Sequence, residues 1–244
     1  MNYSERIAYY AYEVDGDWDK IAQKISANDI PKIVDIKEKY TTILDIDYPP
    51  QLRQLRFPPW ILFYEGDLSL TSLPCVSIVG SRIPTEYGLF VTEQLAYKLV
   101  KDYVLVSGLA KGIDAKVHEV GIKKGKTIGV IGCGMSIIYP TCNKWYYDRL
   151  KENHLILSEY PYFTSVKRHH FPWRNRIIAA LSKACVVTEA KYKSGTMLTV
   201  NEAINLAKEV YVVPHELGKT EGEGCNLLIQ QGAQMITSIQ DFKI

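Results

Sequence analysis

The feature that most constrains this chain is a series of short apolar runs, each closed by a small or polar residue and each followed by a helix-patterned segment. "CVSIVG" (residues 75–80), "YVLVSG" (103–108) and "TIGVIG" (127–132) end in glycine. "HLILSEY" (154–160), "ACVVTEA" (184–190) and "EVYVVP" (209–214) follow, and "AQMI" (233–236) has the character of a short last strand. Runs that are apolar on both faces belong to strands covered on both sides, the situation of a parallel sheet. Between them, Tyr87, Val91, Leu95 and Leu99 fall four apart behind Thr85, a hydroxyl suited to an N-cap. "GIDAKVHEVGIKKG", "NKWYYDRLKEN", "FPWRNRIIAALSK", "SGTMLTVNEAINLAKE" and "GCNLLIQQG" supply the other helices. Strands alternating with helices of this length give βαβ units, so the expected fold is α/β: an extended, doubly wound, mostly parallel Rossmann-like sheet.

Residues before about Pro74 have a different texture. "DWDKIAQKISANDIPKIVDIKEKY" is patterned as a pair of short helices, and "DYPPQLRQLRFPPWILFYEGDLSL" as a proline-punctuated connector ending in one strand, "WILFYEG". The expected organisation is a small helical domain over residues 1–47 and a Rossmann-like domain over 48–244, of which 48–74 is the connector.

Composition narrows the function classes. With 47% hydrophobic and 23% charged residues in 244, the chain is long enough to bury a sizeable core. No apolar run approaches the roughly 18 residues of a membrane span, and the N-terminus lacks a signal-peptide pattern. A cytoplasmic protein with no membrane partner is the expectation. Cys75, Cys133, Cys142, Cys185 and Cys225 stand singly, with no C-x-x-C, which points to core thiols and to no metal site. The formal net charge of +2 is far from the strongly basic balance that announces a nucleic-acid binder, so any such function requires charge gathered on one face.

In an open parallel sheet, ligands sit outside the carboxyl ends of the strands, near helix N-termini. The first such loop carries Gly80, Ser81 and Arg82. The second carries Ser107, Gly108, Lys111, Gly112 and Asp114. Later loops carry "VKRHH", with Arg168 and His169, and "KYKSGT", with Lys191, Ser194, Gly195 and Thr196. These residue types present amide N–H groups, hydroxyls and cations to phosphate. G-x-G-x-x-G is absent, because Ile83 and Pro84 follow Arg82, and so is a Walker-type G-x-x-x-x-G-K-S/T; a dinucleotide cofactor and an NTPase are both disfavoured. Gly132 and Gly134 form a lone G-x-G, the mark of a tight turn. Adjacent His169 and His170 cannot form an i, i+4 metal pair. His118 and His215 suit structural roles, and Glu159 and Glu189 suit pairing with nearby arginines better than acid–base catalysis.

"SIVGSRIPTEYG", "VSGLAKGIDAKVHEVGI", "TIGVIGCGMSIIYP", "LSEYP", "HHFPWRNRIIAALSKACVVTEAKYKSGTMLT" and "CNLLIQQGAQMI" occur in this order and at this spacing. In them the chain resembles the DNA-processing protein A (DprA/Smf) family, from about Tyr48 to Phe242, and its helical start is similar to the sterile-alpha-motif-like domain of many members. The resemblance implies a protein that binds single-stranded DNA without strong sequence preference, loads a RecA-type recombinase onto it in natural transformation, acts as a homodimer, and neither catalyses a reaction nor holds a cofactor. Matched motif by motif, it implies contacts to the DNA from Arg82, from Lys144, from Arg174, Asn175 and Arg176 of "FPWRNR", and from Ser194, Gly195 and Thr196. The winged-helix domain many members carry at the C-terminus is not expected here. Tyr160, Tyr162, Phe163 and Trp173 are candidate stacking surfaces for bases, with Phe171 expected in the core. The alternative is a nucleoside-monophosphate phosphoribohydrolase, whose G-G-x-G-T-x-x-E loop would align its glutamate with Thr199.

Overall fold

The computed structural model describes all residues, Met1–Ile244, and its secondary structure follows the apolar runs. Two helices open the chain, α1 (Tyr3–Glu13) and α2 (Trp18–Ala27), followed by β1 (Lys39–Thr42) and β2 (Ile61–Gly66). Then come β3 (Cys75–Gly80), α3 (Glu86–Leu99), β4 (Val104–Gly108), α4 (Ile113–Lys124), β5 (Thr127–Val130), α5 (Lys144–Asn153) and β6 (Leu155–Ser158). The rest is α6 (His170–Leu181), β7 (Ala184–Glu189), α7 (Gly195–Asn205), β8 (Glu209–Val212), α8 (Glu223–Gln230) and β9 (Gln234–Met235).

The nine strands form one sheet in the order β1-β2-β6-β5-β4-β3-β7-β8-β9. Every pairing from β6 to β9 is parallel, and β1 and β2 extend the sheet antiparallel at one edge. The chain builds outward from β3 to β6, then crosses back and continues with β7 on the other side of β3. The winding therefore reverses between β3 and β7, the place where two loops diverge and leave a crevice. A register shift between Val79 and Gly80 loosens that same pairing at its carboxyl end, and Ser81 N–H donates to Glu189 O at 2.8 Å.

Alternation along the strands assigns side chains to opposite faces. Cys75, Val79, Val106, Val130, Leu157 and Val187 pack with α6, α7 and α8 on one face. Val76, Ile78, Leu105 and Val186 pack with α3 and α4 on the other. Full burial of each aliphatic side chain contributes about 1.5–3 kcal/mol, so the doubly covered sheet is the main source of stability. Thr85 caps α3 as its position suggests, accepting from Gly88 N–H.

The N-terminal part departs from expectation in three ways. α1 has no counterpart in the sequence reading, although Asn2 and Glu5 form a capping box at its start. Only the first of the two expected short helices forms: Pro31 opens an irregular stretch in which Ile30 and Ile33 are 92% and 78% exposed. Finally, β1 falls inside the stretch assigned to the helical domain yet pairs with β2. Ile7, Tyr10 and Ile21 of α1 and α2 share one apolar cluster with Ile61, Phe63, Ile131 and Ile156.

His118 lies wholly inside the fold, its ring nitrogens 2.8 Å from Thr127 Oγ1 and 2.6 Å from Gly108 O. Burial pulls its pKa from 6.5 down to about 4, so the folded state holds it neutral. An imidazole depressed in this way contributes stability that is complete above its unfolded pKa and is lost as pH falls through the folded value. Urea unfolding should therefore show a level midpoint above about pH 7 and a declining one between pH 6.5 and 4. A midpoint that stays level to pH 4.5 contradicts the buried neutral ring.

Candidate nucleic-acid interface

A groove of about 840 Å³ lies at the carboxyl edge of the sheet, over the β3–β7 switch point. Three separate loops build it. The loop after β3 gives Gly80, Ser81, Arg82 and Ile83; the loop before α6 and its first turns give Arg168, Phe171, Arg174 and Asn175; the loop after β7 gives Lys191, Ser194, Gly195 and Thr196. Ten of the fourteen residues singled out in the sequence thus line one cavity. Four cations, Arg82, Arg168, Arg174 and Lys191, face it against two carboxylates, Asp114 and Glu221. The modest total charge of the chain is concentrated here.

The start of α7 is the clearest anion-binding element. Ser194 stands at its N-cap without a capping hydrogen bond, and its buried Oγ has no partner. The hydroxyl is therefore available, and the first amides of the helix add donors. Thr196 differs from expectation, because its hydroxyl already donates to Gly80 O at 3.0 Å and ties α7 to β3. Lys191 lies 3.7 Å from Glu221, an exposed pair that water and salt screen readily.

Arg174 has a mixed role. It is 6% exposed, and Nη1 donates to Val130 O, yet the side chain lines the groove. Its Nε donates to Asn175 Oδ1 at 3.1 Å, and Asn175 Nδ2 donates onward to Gly195 O at 3.3 Å, linking the starts of α6 and α7. Across the groove floor is Asp114. Burial pushes its carboxyl pKa up, opposed by the charge of Arg174. A guanidinium engaged this way holds the fold as well as lining the groove, so truncating it disturbs both.

Arg176 is a correction. It points away from the groove into the protein, where Nη1 and Nη2 each donate to Glu159 at 2.5 Å and both side chains are 5% exposed. Nε donates to Phe57 O at 3.0 Å, and Nη1 also to Trp173 O at 2.7 Å. All three of its nitrogens are engaged inside the protein, away from the groove. Two residues, about 200° of rotation, separate it from the groove-facing Arg174, and a single sequence cannot say which of those two faces is inside. Lys144 is exposed on α5, paired with Asp148 at 2.7 Å, outside the groove lining. His169 is likewise exposed outside it, edge-on to His170. Lys111 lines a smaller pocket of about 80 Å³ that shares Arg82, Tyr139, Phe171 and Arg174 with the groove.

The aromatic residues are also redistributed. Phe171, expected in the core, lies in the groove, with the Arg82 guanidinium 5.4 Å from its ring centre and Tyr139 5.6 Å away. Tyr160 is buried and stacked on His170 at 3.8 Å, so it offers no face to a base. Trp173 packs on Phe57 and beneath Arg176. Tyr139 and Glu221 are groove residues that the sequence reading missed; Tyr139 sits just before Pro140, a turn signal that places it at a loop tip.

The family of DNA recombination-mediator protein A matches residues 39–243. The chain belongs to that family. It is 41% identical over 201 residues to DNA processing protein DprA of Streptococcus pneumoniae, covering 82% of this chain and 71% of that one. With DNA processing protein DprA of Bacillus subtilis it shares 43% identity over 197 residues, 80% of this chain and 66% of that protein. The X-ray structure of the pneumococcal protein superposes with a TM-score of 0.83 at 34% identity, covering 99% of this chain and 94% of that one. A second family structure, DNA processing protein A of Helicobacter pylori, described for its single-stranded DNA binding mode, superposes with a TM-score of 0.77 at 36% identity, covering 84% and 94%. No helix here is long and apolar enough to cross a membrane.

The buried pair makes a separable prediction for this family member. Arg176→Ala leaves Glu159 buried without its partner, a change that typically costs about 3–5 kcal/mol. Denaturant unfolding should register that loss; a variant as stable as the parent protein would contradict the buried pair.

Proposed function

We propose that this chain binds single-stranded DNA along the groove without strong sequence preference, and that it presents the bound polynucleotide to a RecA-type recombinase. The observation that carries the reading is the convergence of Arg82, Arg174 and Ser194, from three loops far apart in sequence, on one cavity at the sheet's switch point. A flexible polyanion presents several phosphates in succession, and cations spread over neighbouring loops can track them where one helix dipole cannot. The Phe171 ring adds a stacking face, which accepts any base and is worth about 1–3 kcal/mol per base. Bases already stacked in a duplex cannot use that face, so single strands are favoured. The recombinase partner, the homodimer and action in the cytoplasm rest on family membership.

The phosphoribohydrolase reading has less support. Thr199 stands in the groove where that chemistry requires a glutamate, and a hydroxyl cannot take over its charge.

Titration with an unstructured oligonucleotide and with a duplex of equal length, each at two salt concentrations, tests the proposal. The single strand should bind more tightly, and Arg82→Ala should weaken it while lowering the salt slope by about 0.7 log units, one phosphate contact. Equal affinity for the two nucleic acids, or an unaltered slope in the variant, contradicts it. Release of free base from nucleoside monophosphates would favour the enzyme instead.

A further inference from the structure

The segment joining β6 to α6 carries Arg168 into the groove, and its two ends are held differently. At the β6 end, Glu159 is locked by Arg176, and Tyr160 is stacked on His170. Thr164 O accepts from Gly134 N–H at 2.9 Å, and Thr164 N–H donates to Pro161 O at 2.9 Å. From Ser165 to His169 the side chains are exposed or half-buried. In this stretch one polar side chain has a partner from elsewhere in the fold: Lys167, whose ammonium group bonds to Asp15 in the turn between α1 and α2. The same carboxylate accepts the hydroxyl of Thr164. Lys167 O in turn accepts from His170 N–H at 3.1 Å, at the first residue of α6.

The turn that delivers Asp15 is built for that place. Asp15 adopts φ 56°, in the left-handed region that non-glycine residues seldom occupy. Gly16 follows at φ 74° and packs so closely that a Cβ would lie 2.9 Å from the Tyr160 ring and 3.0 Å from Glu159 O. Glycine is needed there for both reasons. Burial pulls the Asp15 carboxyl pKa upward, but the hydrogen bonds from Lys167 and Thr164 outweigh it and hold the group below its ordinary value, charged at neutral pH.

The geometry points to Asp15 as a positioning residue for the DNA groove: by tethering Lys167 and Thr164 it fixes the loop that aims Arg168, so the N-terminal helical pair forms part of the interface without touching the ligand. The inference rests on the groove being the DNA site. It carries an unusual sign. A carboxylate beside a basic loop repels DNA, so if Asp15 acted only through its charge, removing it would tighten binding and free Lys167 as a further cation. Positioning requires the opposite.

The test is binding of a fluorescein-labelled oligothymidylate to the whole chain, followed by anisotropy, for Asp15→Ala, Arg168→Ala, Arg82→Ala and the Asp15→Ala/Arg168→Ala double variant. Thermal melts of each protein establish that the fold is kept, and Asp15→Asn, which retains an acceptor for Thr164, serves should the alanine variant fail to fold. A half-exposed tether of this kind should be worth about a two- to fivefold loss of affinity, with the salt slope unchanged because no phosphate contact is removed. In the Arg168→Ala background the Asp15 substitution should have no further effect, since the loop then has no cation to aim. Unchanged or tighter binding by Asp15→Ala overturns the inference, as does an Asp15 substitution that lowers affinity in the Arg168→Ala background by the same factor as in the parent protein. If Arg82→Ala and Arg168→Ala both bind like the parent protein, the groove itself is misassigned; if they weaken binding and Asp15→Ala does not, only the positioning role falls.

Discussion

The buried pairing of Arg176 with Glu159 is the contact on which the interface depends. It joins the first turns of α6 to the end of β6, and through Phe57 O it also secures the connector that precedes β3. Taking both ions out of water is expensive, and the bidentate geometry together with the two carbonyl acceptors is what makes the arrangement tolerable. With the rotation of α6 fixed by that pair, Arg174 and Asn175, the two preceding residues, turn toward the β3–β7 crevice. A rotation of α6 by one residue would break the Arg176–Glu159 pair and turn Arg174 and Asn175 away from the groove.

The concentration of positive charge around this helix start thus has two causes. One arginine is needed inside to hold the helix, and the neighbouring Arg168 and Arg174 line the groove. Even on the ligand side, the charge is restrained. Asp114 opposes Arg174, Glu221 opposes Lys191, and Asp15 holds Lys167. The exposed pairs exchange partners at small cost, whereas the buried Arg174 is held by the fold.

Most of the sheet was legible in the sequence because each strand is apolar on both faces and ends in glycine or a polar residue. The strand exits gave the groove for the same reason, since topology alone fixes which edge the loops share. The N-terminal region was not legible in this way. α1 is announced by Asn2 and Glu5, a cap that is easily passed over without a long periodic stretch behind it, and β1 is a four-residue edge strand recognised only through its partner. Residue-level roles failed where neighbouring positions face opposite ways: on α6, Arg176 faces inward and Phe171 the groove, and Tyr160, in the segment before α6, is buried against His170. Side-chain type carries no information about that choice, which depends on the packing of α6 against the connector.

In the proposed function, the three loops over the β3–β7 switch point together hold the polynucleotide. Backbone hydrogen–deuterium exchange, with and without saturating oligothymidylate, reads all three at once. Protection on binding should appear around residues 80–83, 168–175 and 191–199, with the exposed face of α3 unchanged. Protection confined to α3 or to the β9 edge, with those loops exchanging as freely as before, would contradict the account.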